Sequence, residues 1–457
     1  MTTDWTGSRI LVLGLGDTGW SMTRWLAARG ARLRVADTRT DAPHAGRVRA
    51  AIPDAEVHAG PFTDELFRDV DAIALSPGLD RRERPLADAI ARGVPVMGDV
   101  EIFARSLKER GATSAVLAIT GSNGKSTVTA MTGEVCETGG LATVVAGNIG
   151  LPVLDALAEI DAGKPLPDVF VLELSSFQLE STASLAPTAA TMLNLSEDHL
   201  DRYDGMAGYG AAKARIFAGD GVQVLNREDA WSMGMALPGR AQVTFGLDAP
   251  ARETDWGLRD GKLVRGATAL MPVADLPVAG LHNAANALAA AALAETVAVA
   301  PSHMAAALRG FRGLPHRVER VADVRGITFY DDSKGTNVGS TVAALRGMPQ
   351  PVVLIAGGDG KGQDFAPLAA PVADRARAVV LIGRDAPLLR AALQGTGVPL
   401  LAAASMQEAV ELAYRAARAG DAVLLSPACA SYDMFRSYVH RAEVFVDVVR
   451  ALAAREA

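Results

Sequence analysis

The sequence predicts an α/β protein of three domains in series, and three observations carry this. A buried-strand run ending in glycine occurs at three widely separated places: RILVLGLGDTG at 9–19, AVLAITGSNGKST at 115–127 and VVLIAGGDGKG at 352–362. Each reads as the opening of a βα unit. The 457 residues exceed what a single core usually serves, and about 150 residues per domain gives about three domains. Five per cent aromatic residues beside 45 glycines suits Val/Ile/Leu strands alternating with Ala-rich helices.

Further apolar runs supply the other parallel strands: LRVADT at 33–38, AIALSPG at 72–78, VFVLELSS at 169–176, AVVLIG at 378–383 and AVLLSPA at 422–428. Boundaries fall in the polar stretch KERGAT and in FRGLPHR, dividing the chain into 1–108, 109–312 and 313–457. Residues 228–275, rich in Gly, Pro and charge with weak strand patterns, read as an elaboration of the middle domain.

Composition excludes several classes. A formal net charge of −7, with no Lys/Arg block or aromatic-interleaved basic stripe, argues against a nucleic-acid partner. Charged residues interrupt every apolar run before it could span a bilayer, and MTTDWTGSRI has no signal-peptide pattern. No membrane insertion and a cytoplasmic location are therefore expected. Cys136 and Cys429 are too few for a disulfide framework and read as buried apolar residues in a reducing compartment.

The first opening, Gly14-Leu15-Gly16-Asp17-Thr18-Gly19, fits G-x-G-x-x-G, with the next strand ending at Asp37. Such glycines serve a dinucleotide or simply close strand-to-helix packing. The second opening is more specific. In Thr120-Gly121-Ser122-Asn123-Gly124-Lys125-Ser126-Thr127, glycines let backbone N–H groups turn toward a phosphate, and the following helix directs its positive end there. Lys125 can reach the β/γ-phosphates and Ser126 can ligate Mg²⁺. Ile119 stands where the first glycine of G-x-x-x-x-G-K-[ST] belongs, so this phosphate loop (P-loop) is a shortened variant.

A magnesium site needs oxygen ligands at the end of a neighbouring strand, and Glu173 in VLELSSFQ is such an acid, followed by Ser-Ser-x-Gln polar groups for substrate. NLSEDHLD at 194–201 packs acids around His199, which makes a metal-proximal histidine the expectation. Lys213 lies in the Ala-rich helix expected from Tyr209 to Phe217.

At this point the chain resembles the Mur ligase family, the cytoplasmic ligases that build the peptide stem of peptidoglycan, most closely its D-glutamate-adding branch. The motifs run in the family's order: GLGDTG with Asp37-Thr38-Arg39, SPG at 76–78, TGSNGKST, GNIG at 147–150, LELSSFQL at 172–179, EDHLDRY at 197–203, GLHNAANALAA at 280–290, GLPHR at 313–317, DDSKGTN at 331–337, GGDGKG at 357–362 and SPACAS at 426–431. The resemblance implies a Rossmann-like N-terminal domain, a central P-loop domain and a Rossmann-like C-terminal domain. It implies a monomer that uses ATP and two Mg²⁺ ions to join D-glutamate to UDP-N-acetylmuramoyl-L-alanine.

The resemblance also assigns residues. Leu15, Gly16, Asp17, Thr18, Asp37, Thr38, Arg39 and Gly78 would hold the uridine nucleotide, and Asn148, Ser175 and Gln178 the muramoyl-alanine part. Asn283 and Asn286, three apart and so on one helix face, would recognise adenine; Arg317 and Asp332 would contact the ATP phosphates and ribose. One metal would be held by Ser126 and Glu173, the other by Glu173, His199 and Lys213, the last converted by CO₂ to a carbamate because a bare ammonium would repel the ion. Thr336, Lys361, Ser431, Tyr432 and Tyr438 look like the amino-acid pocket. Tyr438 stands where phenylalanine is frequent, keeping the ring and adding a hydroxyl.

Rival readings of the same residues are another ligase of the superfamily, of folylpolyglutamate or diaminopimelate/lysine-adding type, a nucleotide-gated switch, and a dinucleotide oxidoreductase. The Asp37-Thr38-Arg39 run and the SPACAS segment argue against the first.

Overall fold

The three glycine-terminated runs become the strands Arg9–Leu13, Ala115–Thr120 and Val352–Gly357, each flanked by parallel neighbours inside its own sheet. The computed structural model describes residues 4–278 and 280–456. The strand order of the first sheet is Glu56–Ala59, Arg32–Asp37, Arg9–Leu13, Ala72–Leu75, Val96–Met97, all parallel. Order reverses beside Arg9–Leu13, which opens a crevice at the carboxyl ends of Arg9–Leu13 and Ala72–Leu75.

In the central sheet Ala115–Thr120 lies between Val169–Glu173 and Ala189–Met192, with Thr143–Gly147 at one edge. The segment 228–275, read as an elaboration of the middle domain, extends this sheet. Gln242–Phe245 adds in parallel to Val222–Asn226, and Trp256–Arg259, Lys262–Arg265 and Thr268–Pro272 complete nine strands, the last two joined antiparallel. The α-helix carrying Lys213 runs Gly205–Ala214 rather than from Tyr209; a 3₁₀ turn at Arg215–Phe217 completes it.

The third sheet is parallel except for the edge hairpin Glu319–Val324 with Ile327–Asp331, and its order continues through Ala422–Leu425, Val352–Gly357, Ala376–Ile382 and Leu400–Ala402. Cys136 and Cys429 are buried free thiols.

Apolar burial joins the first two sheets. One continuous cluster runs from Trp25, Val35 and Phe103 to Phe170, Leu172 and Tyr209, with the Phe103 and Phe170 rings edge to face at 5.1 Å. The helix Asp99–Glu109 leads out of the first sheet and packs on Val153–Asp161. The third sheet keeps separate apolar clusters on its two faces. It meets the middle domain through polar side chains around the loops at the strand ends. Among the described residues no helix is long and apolar enough to cross a membrane.

Candidate active site

The loop after Ala115–Thr120 bends because Gly121 and Gly124 take φ of +153° and +84°, values that favour glycine. Gly124 caps the helix Lys125–Thr138, so the amide end of that helix faces the loop's hollow. Asn194, at the end of the adjacent strand, braces the loop by accepting from the amides of Ser122 and Asn123 at 2.8 and 2.9 Å. Lys125 Nζ donates to the carbonyls of Gly121 and Ser122 at 2.8 and 2.9 Å. Burial lowers its pKa, against the opposing fields of Glu173 and Asp198.

Asn286 stands against this loop: a Cβ at Gly124 would lie 2.7 Å from its Oδ1. Its amide donates to Asn283 Oδ1 at 3.2 Å, so the two asparagines share a face. Arg317, from the third domain, donates to Ser126 Oγ at 2.8 Å. Asp332 is buried and accepts from Ser426 Oγ at 2.6 Å; burial raises its carboxyl to about 7. One cavity is lined by Ser122 to Thr127, Asn283, Asn286, Arg317 and Asp332, residues of two domains; Gly121, also expected there, is not on its wall.

Glu173 ends its strand with 1% exposure. Its Oε1 accepts from Asn148 Nδ2 at 2.8 Å, while Oε2 is buried without a hydrogen-bond partner among the described residues. A buried carboxylate oxygen left open is unfavourable, and a divalent cation would satisfy it. His199 is held neutral, pushed down to about 4 by burial despite Asp198 beside it, as a metal ligand must be. It adopts φ +56°, and its ring meets Phe177 edge to face at 4.7 Å.

Lys213 is 1% exposed. Its Nζ donates to Gly121 O at 2.8 Å and lies 4.7 Å from the centre of the Tyr209 ring. Burial first, and Lys125 second, lower its pKa well below the ordinary lysine value. Ser126, Asn148, Glu173, Asp198 and His199 line one cavity, and the oxygen donors among them, the open Glu173 oxygen first, are the hard ligands that magnesium takes.

A second cavity brings together Lys125, Asn148, Ser175, His199, Lys213, Thr336, Lys361, Ser431, Tyr432 and Tyr438. Lys361, at φ +52°, forms a partly buried ion pair with Asp198 across the domain boundary. Asn337 Nδ2 donates to Asn123 Oδ1 at 3.0 Å and to Asp198 Oδ2 at 3.3 Å. Lys334 Nζ lies 3.8 Å from the centre of the Tyr438 ring, and burial brings its pKa down to about 8. Tyr432 is 76% exposed, so it forms the rim and not the floor.

The nucleotide-sugar residues expected in the first domain gather in the crevice described above, away from both cavities. Leu15 N donates to Asp37 Oδ2 at 2.7 Å, and Arg39 closes on Asp37 with Nε and Nη2 contacts at 2.8 Å each. Burial alone would raise the Asp37 carboxyl, but these donors bring it to about 2. Gly16, Thr38 and Gly78 lie on the loops around it, while Thr18 sits in the first turn of the helix Asp17–Ala27, whose Asp17 reaches out to His44 at 2.9 Å.

Gln178 differs from the other expected substrate residues. It is 2% exposed and caps its own helix with Ser175, so both ends of its amide are engaged inside the protein. Sequence reasoning missed Asn194 and Asn337 as braces of the phosphate loop. Asn337 lies within the DDSKGTN run and Asn194 in NLSEDH, but only folding shows which loop each one meets.

A phosphate loop beside a cavity walled jointly by its own domain and the next fits the class of ATP-using ligases. Family models match in the same order: the Mur ligase MurD-like N-terminal domain over 8–98, the Mur ligase middle domain over 119–294 and the Mur ligase glutamate ligase domain over 316–429. The UDP-N-acetylmuramoylalanine–D-glutamate ligase of Thiobacillus denitrificans is 57% identical, covering 99% of this chain and 98% of its own length. Its namesake from Methylobacillus flagellatus is 58% identical, over 98% of each chain. Among solved structures, the UDP-N-acetylmuramate–alanine ligase of Thermotoga maritima superposes with TM-score 0.61 at 18% identity, covering 97% of this chain and 99% of that one. MurF from Acinetobacter baumannii gives TM-score 0.61 at 18% identity, covering 98% and 93%. The chain belongs to the Mur ligase family.

Proposed function

We propose that this chain joins D-glutamate to UDP-N-acetylmuramoyl-L-alanine at the expense of ATP, through an acyl phosphate. The observation that supports this most strongly is near-complete coverage, at 57–58% identity, of two D-glutamate ligases. The two adjoining cavities, one for ATP and one for the amino acid, support the same reading.

In this account the division is 1–108 for the nucleotide-sugar, 109–312 for ATP and 313–457 for glutamate. The crevice at Leu15 to Thr18, Asp37 to Arg39 and Gly78 anchors the uridine diphosphate, and Asn148 and Ser175 direct the alanyl carboxylate toward Lys125. The carboxylate oxygen attacks the γ-phosphorus and ADP departs, while Lys125 and the helix N-terminus neutralise the charge that grows on the phosphoryl oxygens. Arg317 reaches the same charge once the third domain closes, and Asn283 and Asn286 fix the adenine end. Lys361, Thr336, Ser431 and Tyr438 hold the carboxylates of glutamate, whose amine attacks the acyl carbon and expels phosphate.

Bound Mg²⁺ supplies Lewis-acid neutralisation of phosphate charge; Ser126 and Glu173 would hold one ion, and Glu173, His199 and Lys213 as its carbamate a second. The buried, neutral-leaning amine of Lys213 supports carbamylation. The working unit is a monomer in the cytoplasm. The test is isotopic: ¹⁸O placed in the alanyl carboxylate must appear in released phosphate only when glutamate is supplied and turned over. Unlabelled phosphate would remove the acyl-phosphate route.

A further inference from the structure

The helix Asp99–Glu109 begins where the first domain passes into the middle one, and its first residue is a charged side chain only 2% exposed. The approach is close: a Cβ at Gly98 would collide with the Ser181 hydroxyl. Asp99 Oδ2 accepts from Gln178 Nε2 at 3.1 Å, and Oδ1 is buried with no hydrogen-bond partner among the described residues. At the other end of that amide, Gln178 Oε1 accepts from Ser175 N at 3.1 Å and from Ser175 Oγ at 3.2 Å, while Gln178 N donates to Ser175 Oγ at 3.2 Å.

A carboxylate can only accept and a backbone N–H can only donate, so Gln178 sits in one orientation, its NH₂ toward Asp99 and its oxygen toward Ser175. Turned over, it would bring donor against donor at Ser175 and acceptor against acceptor at Asp99. Ser175 lines the cavity that holds Asn148, Lys125 and Lys213, whereas neither Asp99 nor Gln178 lies on its wall. A buried carboxylate with one orphaned oxygen is a poor choice for stability alone.

We propose that Asp99 is a positioning residue for the nucleotide-sugar substrate: through Gln178 it fixes the hydroxyl and amide of Ser175 at the wall of the substrate cavity. This rests on the reading that Ser175 belongs to the muramoyl-alanine site. The first domain thereby sets a substrate contact inside the middle domain, and the S-x-x-Q run serves as a brace behind the cavity wall.

The test measures the KM of each of the three substrates separately, with melting temperature, in Asp99→Leu, Asp99→Asn, Ser175→Ala and the Asp99→Leu/Ser175→Ala double variant. Loss of one held hydrogen bond corresponds to about a tenfold rise in KM for the nucleotide-sugar in Asp99→Leu. The KM values for ATP and glutamate should stay within about twofold of wild type. Asp99→Asn keeps an acceptor oxygen and should restore most of the loss, and the double variant should be no worse than the weaker single one. If Ser175→Ala leaves the nucleotide-sugar KM unchanged, Ser175 is not part of that site. If Ser175→Ala raises it and Asp99→Leu does not, or if the two effects simply add, Asp99 does not act through Ser175. Should Asp99→Leu fail to fold, Gln178→Met removes the amide at similar volume and must show the same selective rise in nucleotide-sugar KM; an unchanged value there overturns the proposal.

Discussion

Lys125→Met is the sharpest perturbation of the phosphate loop, because it removes a charge while keeping length and burial. In the structure the ammonium makes two hydrogen bonds, to Gly121 and Ser122 at 2.8 and 2.9 Å. Losing them costs about 1–3 kcal/mol at about 0.5–1.5 each. The lowered pKa of Lys125 shows that holding the charge there is itself unfavourable, so relief of that burden offsets part of the loss and the variant should stay folded. In the transition state the ammonium faces a phosphoryl group gaining negative charge. A unit pair about 4 Å apart, at an effective dielectric constant of about 20, is worth about 4 kcal/mol, which is about a thousandfold in turnover. Phosphate release at saturating substrates, beside a melting curve and ATP titration, reads this directly. A folded variant keeping a tenth or more of wild-type kcat would refute the role of Lys125.

Lys213→Ala should be almost inactive and regain part of its turnover with acetate or formate, in proportion to carboxylate concentration, while Lys125→Met gains nothing; full activity without rescue would exclude the carbamate. Lys361→Ala and Thr336→Ala should raise the KM for glutamate by about tenfold or more with little change for the nucleotide-sugar, checked by separate saturation curves. Gly124→Ala meets both a positive φ and Asn286 Oδ1. It should lower stability by about 1–2 kcal/mol and raise the KM for ATP, measured by thermal melting and ATP saturation.

The sheets' central strands were legible because each is a local signal, an apolar run closed by glycine. Gly19 shows why the pattern is strict: a Cβ there would overlap the Gly14 carbonyl. The extension of the central sheet was harder to read, since its strands are four or five residues long. A sharper signal was nevertheless present. Asp260-Gly261, with φ of +50° and +70°, is the two-residue turn that joins Trp256–Arg259 to Lys262–Arg265, and Arg325-Gly326 does the same at the third sheet's edge. Likeness makes Gln178 a substrate residue, although Ser-x-x-Gln before a short helix also announces a capping box. The ion pair of Asp198 with Lys361 joins residues 163 apart, and no spacing rule reaches that far. The orphaned Glu173 oxygen likewise appears only after packing.

D-Glutamate ligation is tested most directly by phosphate release in the presence of UDP-N-acetylmuramoyl-L-alanine, ATP and Mg²⁺, with D-glutamate, L-glutamate, lysine and diaminopimelate offered in turn. Rapid release is expected with D-glutamate alone, accompanied by one equivalent of the ligated nucleotide-sugar. Equal release with every amino acid, or with none added, would contradict it, as would a preference for lysine or diaminopimelate.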